Sequence, residues 1–391
     1  MSSFAVGIDI SKYKHDCCII DTQTMDVISR FTFRNDKKGF EQFLSVYRSL
    51  NTESIKTGFE STSHYSLNLK LFLEKSSIPF MEVNPVLIRE YVKSLSLRKT
   101  KNDSVDSEYI ARWLVNVEYK PFQKGFYHAY SLKSLTRLRD SLVKDRSRYL
   151  IRITDVMDHV FPEFKPFFNN RFSCTALYIL EKYPNTEKIS HMNRLSFEKL
   201  STISRGNFTM QKFLRLKELA RDTVGESNSI FEAELESLLS LYRSVDLQVK
   251  NAEKLITELI IDINPHYLSI PGIGPLSAAV IYAEYGGDLS RFSSPSKMLA
   301  FAGLDPAYFQ SGIGEYTGHM VKRGSGALRY TLMNCASLII SRDYTFAEYY
   351  LKKRNEGKSY RVALSHVAKK LVRVIYTLEK KGIDFDADVI R

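Results

Sequence analysis

FAVGIDI (residues 4–10) is an apolar run broken by a single acid, Asp9. That composition suits a central strand buried on both faces, with the acid near its end. A carboxylate there is costly without a partner. Two further strands follow. KHDCCIID (14–21) is one, and in DVISRFTFRN (26–35) Val27, Ser29, Phe31 and Phe33 alternate with Ile28, Arg30, Thr32 and Arg34, the period of two that marks the other. Three strands in succession fit an antiparallel meander. Working outward, Lys37 to Leu50 reads as a helix, SIKTGFE (54–60) as a fourth strand ending in Glu60, and Ser63 to Lys75 as a helix capped by Ser61 or Thr62. IPFMEV (78–83) is a fifth strand, and Asn84-Pro85 opens another helix. The basic residues Arg98, Lys99 and Lys101 lead into NDSVDSEYIARWL (102–114), a helix that carries Asp103 and Asp106 at its start.

Asp103 and Asp106 are three residues apart and so share a helix face. With Asp9 and Glu60 at strand ends, the four carboxylates converge on one edge of the sheet. Like charges so gathered repel, and divalent cations relieve the repulsion. Each acid also has an ordinary reading: Asp103 as an N-cap, Asp106 in a favourable first-turn position, Glu60 as a surface charge, Asp9 as a turn residue. The metal reading rests on the four as a set.

The 391 residues allow two or three domains, and 44% hydrophobic with 26% charged content is ordinary for a soluble globular protein. The formal net charge of +12 is not, and it points to a polyanionic partner, nucleic acid before membrane. Cys17, Cys18, Cys174 and Cys335 form no C-x-x-C pair and no zinc-like spacing, so no structural metal is implied and the thiols are expected to be reduced. There is neither a signal-type start nor an apolar stretch long enough to span a bilayer. A soluble, cytoplasmic protein is expected.

Boundaries are placed at 1–128, 129–262 and 263–391. In the middle segment Leu132, Leu135, Leu138, Leu142, Tyr149, Ile153, Val156 and Val160 recur at helical spacing, opposite a face rich in Lys and Arg. Phe231, Leu235, Leu238, Tyr242, Val245, Val249, Ala252, Leu259 and Ile263 form a second stripe. The two long helices fit an antiparallel coiled-coil arm suited to dimerisation, or an ordinary bundle. The last segment reads as largely α-helical. Its IPGIGPLSAAVIYAEYG (270–286) resembles a helix-hairpin-helix turn, in which Gly272 and Gly274 let the backbone approach a phosphate. Ala307 to Arg323 reads as a loop carrying Ser311-Gly312, followed by a basic cluster of Lys322, Arg323 and Arg329 at a helix start. A Ser-Gly pair is ordinarily a turn, and no triad or G-x-S-x-G elbow accompanies it. If Ser311 is a nucleophile, its activation comes from elsewhere.

Taken in order, GIDISK (7–12), FES (59–61), KNDSVDSEYIA (101–111), PGIGPLSA (271–278), FAGLDPAYFQSG (301–312) and KRGSGALR (322–329) resemble the DEDD transposases of the IS-one-ten insertion-sequence group, relatives of the Piv-type DNA invertases. The resemblance spans both ends and leaves the helical middle without a signature. It implies an RNase H-like, RuvC-type first domain in an α/β plus α protein, with Asp9, Glu60, Asp103 and Asp106 as catalytic metal ligands for two Mg²⁺ ions, Mn²⁺ being the alternative. It puts Ser311 at the catalytic serine position and Lys322, Arg323 and Arg329 in the nucleic-acid-binding motif. It also implies donor and target DNA, a structured guide RNA that pairs with both, and assembly as a homodimer or tetramer. Asn102, Ser107, Ser63 and Ser325 depart from the family's usual Thr, Ala, Gly and Asn, and none of them is a proposed ligand or nucleophile. Three rivals are a Holliday-junction nuclease using water, an actin-type ATPase, for which GIDISKYK lacks the glycine-rich phosphate loop, and a noncatalytic DNA-binding protein.

Overall fold

The computed structural model describes residues 3–388 except 53, 61–63, 96–102, 122–125, 290, 312–313, 321 and 323, with backbone alone for 64, 95, 103–105, 126–128, 306–311 and 314–319. It is a mixed α/β structure in two compact units, one of Met1–Ser131 with Tyr285–Arg291 and one of Leu132–Glu284 with Phe292–Arg391.

The first unit is built on the expected meander. Strands β1 (Phe4–Ile10), β2 (Lys14–Asp21) and β3 (Val27–Arg34) pair antiparallel; helix α1 (Lys37–Ser49) then leads to β4 (Ile55–Glu60), which lies parallel to β1. Helix α2 (Leu67–Lys75) and strand β5 (Phe80–Val83), parallel to β4, complete a five-stranded sheet of order β3-β2-β1-β4-β5. Helices α3 (Pro85–Leu95) and α4 (Asp103–Asn116) follow. Strand alternation divides the sheet's side chains between two cores. Val6, Ile8, Phe33 and Phe59 pack with Phe43, Leu69 and Leu73 of α1 and α2. Ala5, Cys18 and Ile20 pack with Ile88, Ile110, Ala111 and Leu114 of α3 and α4. Both faces are covered, which is why β1 reads as an almost uninterrupted apolar run.

In the second unit, α5 (Phe126–Val160) and α11 (Ser229–Ile263) are the long helices, and from Leu132 onward they run antiparallel. Arg139 pairs with Glu253 at 2.9 Å and Arg146 with Asp246 at 2.8 Å, so numbers rise along one helix as they fall along the other. Between them in sequence lie α6 (Phe164–Phe167), α7 (Cys174–Lys182), α8 (Thr186–Ser190), α9 (Arg194–Ile203) and α10 (Met210–Arg221). These shorter helices share a core with Ile153 and Val156 of α5 and Leu235, Leu238 and Leu239 of α11.

Beyond them come α12 (Pro275–Glu284), α13 (Pro295–Ala302), strands β6 (Pro306–Ser311) and β7 (Gly314–Met320), and helices α14 (Gly326–Ile339), α15 (Tyr344–Asn355) and α16 (Tyr360–Lys381). The stripe Val367, Leu371, Ile375 and Leu378 of α16 is buried, and α16 packs on α13, α14 and α15. Two features depart from the sequence reading. Ala307 to Arg323 is not simply a loop: β6 and β7 form an antiparallel hairpin in which Ser311 stands opposite Gly314. Tyr308, Phe309, Tyr316 and Thr317 are strong strand formers, and they outweigh the loop signal of the glycines in this segment. Helix α15 was also unforeseen, because it buries only Phe346 and shows no apolar stripe.

Candidate active site

The geometry begins with a strand register. β1 and β4 run side by side with Ile8 opposite Phe59 as their last paired residues; the next residue on each strand is Asp9 and Glu60. Both are half-buried. By alternation Asp9 shares a face with Ala5 and Gly7, and Glu60 shares one with Gly58 and Lys56. Helix α4 covers that same face. A Cβ on Gly7 would fall 2.2 Å from the Ser107 carbonyl oxygen and 2.4 Å from the Ala111 nitrogen. Further along the helix, a Cβ on Gly58 would meet the Leu114 side chain at 2.9 Å, and Lys56 Nζ donates to the Leu114 carbonyl at 3.2 Å. The helix therefore starts over the ends of β1 and β4 and recedes from them. Asp106, half-buried, immediately precedes the Ser107 that sits on Gly7.

This arrangement brings the backbone positions of Asp9, Glu60 and Asp106 to one end of the sheet, on one face. Asp103 is the first residue of α4; its side chain lies outside the described residues. Among the described residues no group of three or more His, Cys, Asp or Glu side chains is set to hold a metal ion.

Sequence reasoning missed one further acid of this face. Asp16 stands directly across the β1–β2 pair from Asp9. The signal lay in KHDCCIID once the meander is drawn, since a hairpin through residues 11–13 brings the two into register. Asp16 accepts a hydrogen bond from Thr32 Oγ1 at 2.5 Å and pairs with Lys14 at 3.5 Å. Glu108, on the next turn of α4 from Ser104, is engaged by Arg30 and by Arg112 Nε at 2.7 Å. Like charges directly opposite one another destabilise a sheet, so the Asp9–Asp16 juxtaposition adds to the demand for positive charge.

The second unit holds the remaining expected residues. Ser311 ends β6, with its side chain outside the described residues, as is Arg323 altogether. Lys322 is exposed and has a left-handed backbone, φ +47°. Arg329 Nη1 reaches the carbonyls of Ala302 and Lys322 at 3.4 Å each. Gly324 (φ +142°) is required, since a Cβ there would lie 2.3 Å from the Phe301 carbonyl. Gly272 (φ +101°) is buried against Ile339 of α14, whereas Gly274 is exposed with nothing within 4 Å of its Cβ position. Only the second glycine offers open backbone.

A buried acid anchors this region. Glu284, the last residue of α12, is 2% exposed. It accepts from Arg137 Nε at 3.0 Å and Ser325 Oγ at 2.8 Å, and Lys133 Nζ lies 3.3 Å away. Burial alone would raise its pKa, but the Arg137 hydrogen bond, the Lys133 charge and Ser325 outweigh it and hold the carboxyl below its usual range. Ser325 also caps α14 by accepting from Leu328 N. Thus α5 is tied through Glu284 to the start of the basic motif.

Two family models match the chain. One, described as Transposase, covers residues 6–162, and the other, described as Transposase IS116/IS110/IS902 family, covers residues 266–351. The first match contains Asp9, Glu60, Asp103 and Asp106, and the second contains Ser311 and the basic motif. A pilin gene-inverting protein of Moraxella lacunata is 23% identical over 394 residues, 99% of this chain and 98% of its own. The insertion element IS900 42 kDa protein of Mycobacterium paratuberculosis is 23% identical, over 95% of this chain and 94% of its own. The transposase for insertion sequence element IS1111A of Coxiella burnetii is 24% identical, over 86% of this chain and 77% of its own. The protein is thus a DNA transposase or recombinase. It belongs to the IS110-type transposase family, whose relatives include the pilin-gene inverters.

Proposed function

We propose that the protein breaks and rejoins DNA strands through a covalent phosphoserine link made by Ser311, with Asp9, Glu60, Asp103 and Asp106 serving one divalent-metal site in an RNase H-like domain. The observation that carries the reading is the pairing of β1 with β4, which ends with Asp9 and Glu60 next to each other under the first turns of α4. The donor type suits the group: carboxylates are the hard oxygen ligands that Mg²⁺ or Mn²⁺ takes, and the backbone positions of Asp9, Glu60 and Asp106 lie at one end of the sheet. Bound there, such ions supply Lewis-acid polarisation of the scissile phosphate and stabilise the leaving oxygen.

The protein's own groups do the rest. Ser311 Oγ attacks phosphorus; a new Oγ–P bond forms as the bond from phosphorus to the leaving deoxyribose oxygen breaks, and the proton lost by the hydroxyl ends on that oxygen. Attack by the hydroxyl of another strand reverses the step. Bond energy is conserved, so no nucleotide cofactor is consumed. Lys322, Arg323 and Arg329 steady the phosphate charge, and the exposed Gly274 lets the backbone near it. The net charge of +12 accommodates a structured guide RNA as a second polyanion, in a homodimer or tetramer.

The test is a denaturing gel of the full-length protein incubated with labelled DNA and a divalent metal. Wild type is expected to leave a covalent protein–DNA adduct, and Ser311→Ala none, while its DNA binding stays within about twofold. An adduct of undiminished yield from Ser311→Ala removes the serine from the reaction. Strand cleavage that survives in Ser311→Ala supports water as the nucleophile.

A further inference from the structure

The turn between α15 and α16 lies beyond the second matched family segment, which ends at residue 351. KKRNEGKSYR (352–361) carries five cations and one acid. The acid is already taken, since Lys353 Nζ donates to both oxygens of Glu356 at 2.9 Å. Lys352, Lys358 and Arg361 are exposed and make no ion pair among the described residues. Arg354 Nη1 donates to the Lys358 carbonyl at 2.9 Å, which folds the turn back on the helix end, and Gly357 (φ +80°) makes the turn with open space around it. Aromatic rings are set among these charges. Tyr360 is 51% exposed and meets Tyr350 edge-on, with ring centroids 6.3 Å apart; Tyr344, at the other end of α15, is 73% exposed. Lys353 and Lys370 both stand over the Tyr349 ring, at 5.6 and 5.3 Å. Burial, and after it the charges of Lys369, Lys353 and Lys358, keep the His366 pKa below its usual value, a sign of the positive field at this surface.

We propose that this turn is a docking surface for unpaired DNA strand, such as strand opening would present next to the cut. Cations without partners track phosphates, and an exposed tyrosine beside them offers a stacking platform that duplex DNA, its bases already stacked, cannot use. The charge complementarity chooses a polyanion, and the ring chooses the single-stranded form. This assignment rests on the reading of DNA as the protein's substrate.

The experiment measures binding of fluorescent single-stranded DNA, the matching duplex and an RNA of the same sequence to the full-length protein across a salt series. The triple variant Lys352→Ala, Lys358→Ala, Arg361→Ala is expected to bind single-stranded DNA at least about tenfold more weakly, and its slope of log affinity against log salt is expected to fall by about 2. Tyr360→Leu is expected to lose roughly tenfold on the single strand with the slope and duplex binding unchanged, and Tyr360→Phe to restore the loss. Wild-type affinity and slope in the triple variant overturn the proposal while leaving the substrate reading intact. So does a loss confined to RNA, which reassigns the surface to that partner. Wild type that binds no DNA at all sinks both readings.

Discussion

His15 on β2 is fully buried between Phe33 and Phe40. Burial lowers its pKa from 6.5 to about 4, and the neighbouring Asn35 amide and Asp16 carboxylate offset this only in part. The unfolded chain therefore binds a proton in the window between about 4 and 6.5 that the folded chain refuses. The stability His15 contributes is fully present above pH 6.5 and is lost as pH falls toward 4, about 3 kcal/mol in all. Urea unfolding at a series of pH values is expected to show a steeper acid decline for wild type than for His15→Phe, which keeps the aromatic packing and cannot titrate; parallel curves contradict the assignment. Glu284 shows why part of the candidate site was hidden at this scale. Its carboxylate is defined by Arg137, 147 positions away in the chain, and by Ser325, and no local spacing announces either.

Among elements, the contact that organises the first unit is α4 on β1. Gly7 admits the backbone of Ser107 and Ala111 where a methyl group would overlap both. Gly7→Ala is expected to push α4 off the strand and to cost about 1–3 kcal/mol, the range for overpacking a tight interior. Thermal melts with circular dichroism check this, and a melting temperature equal to wild type contradicts it. The sheet itself was legible because its signals are local: β3 alternates strictly, β1 is an apolar run, and Glu60 is simply the last residue of its strand. The nearness of Asp9 to Glu60 follows once those two strands are neighbours. What stayed illegible depended on distant partners or weak burial. The direction of α4 is read from Gly7 and Gly58 together, the β6–β7 hairpin was masked by its glycines, and α15 shows almost no apolar stripe. The two long helices were legible as stripes, and antiparallel pairing was one of the readings those stripes allowed; ion pairs such as Arg146 with Asp246 show it.

At the scale of the whole molecule, a chain with net charge +12 carries its carboxylate edge in one unit and its serine and basic motif in the other. The two family matches divide the same way, since residues 6–162 include the four acids and residues 266–351 include Ser311. No helix among the described residues is long and apolar enough to cross a membrane. On the proposed mechanism, ion binding by the acids and attack on phosphate by Ser311 are separate functions, and the two should come apart under mutation. The most direct test is calorimetric titration of the full-length protein with Mn²⁺, without DNA. Wild type and Ser311→Ala are expected to bind the ion alike, and Asp9→Asn and Glu60→Gln each to weaken it about tenfold or more. Undiminished Mn²⁺ binding in both acid variants, with their fold intact, would contradict a shared metal site at the ends of β1 and β4.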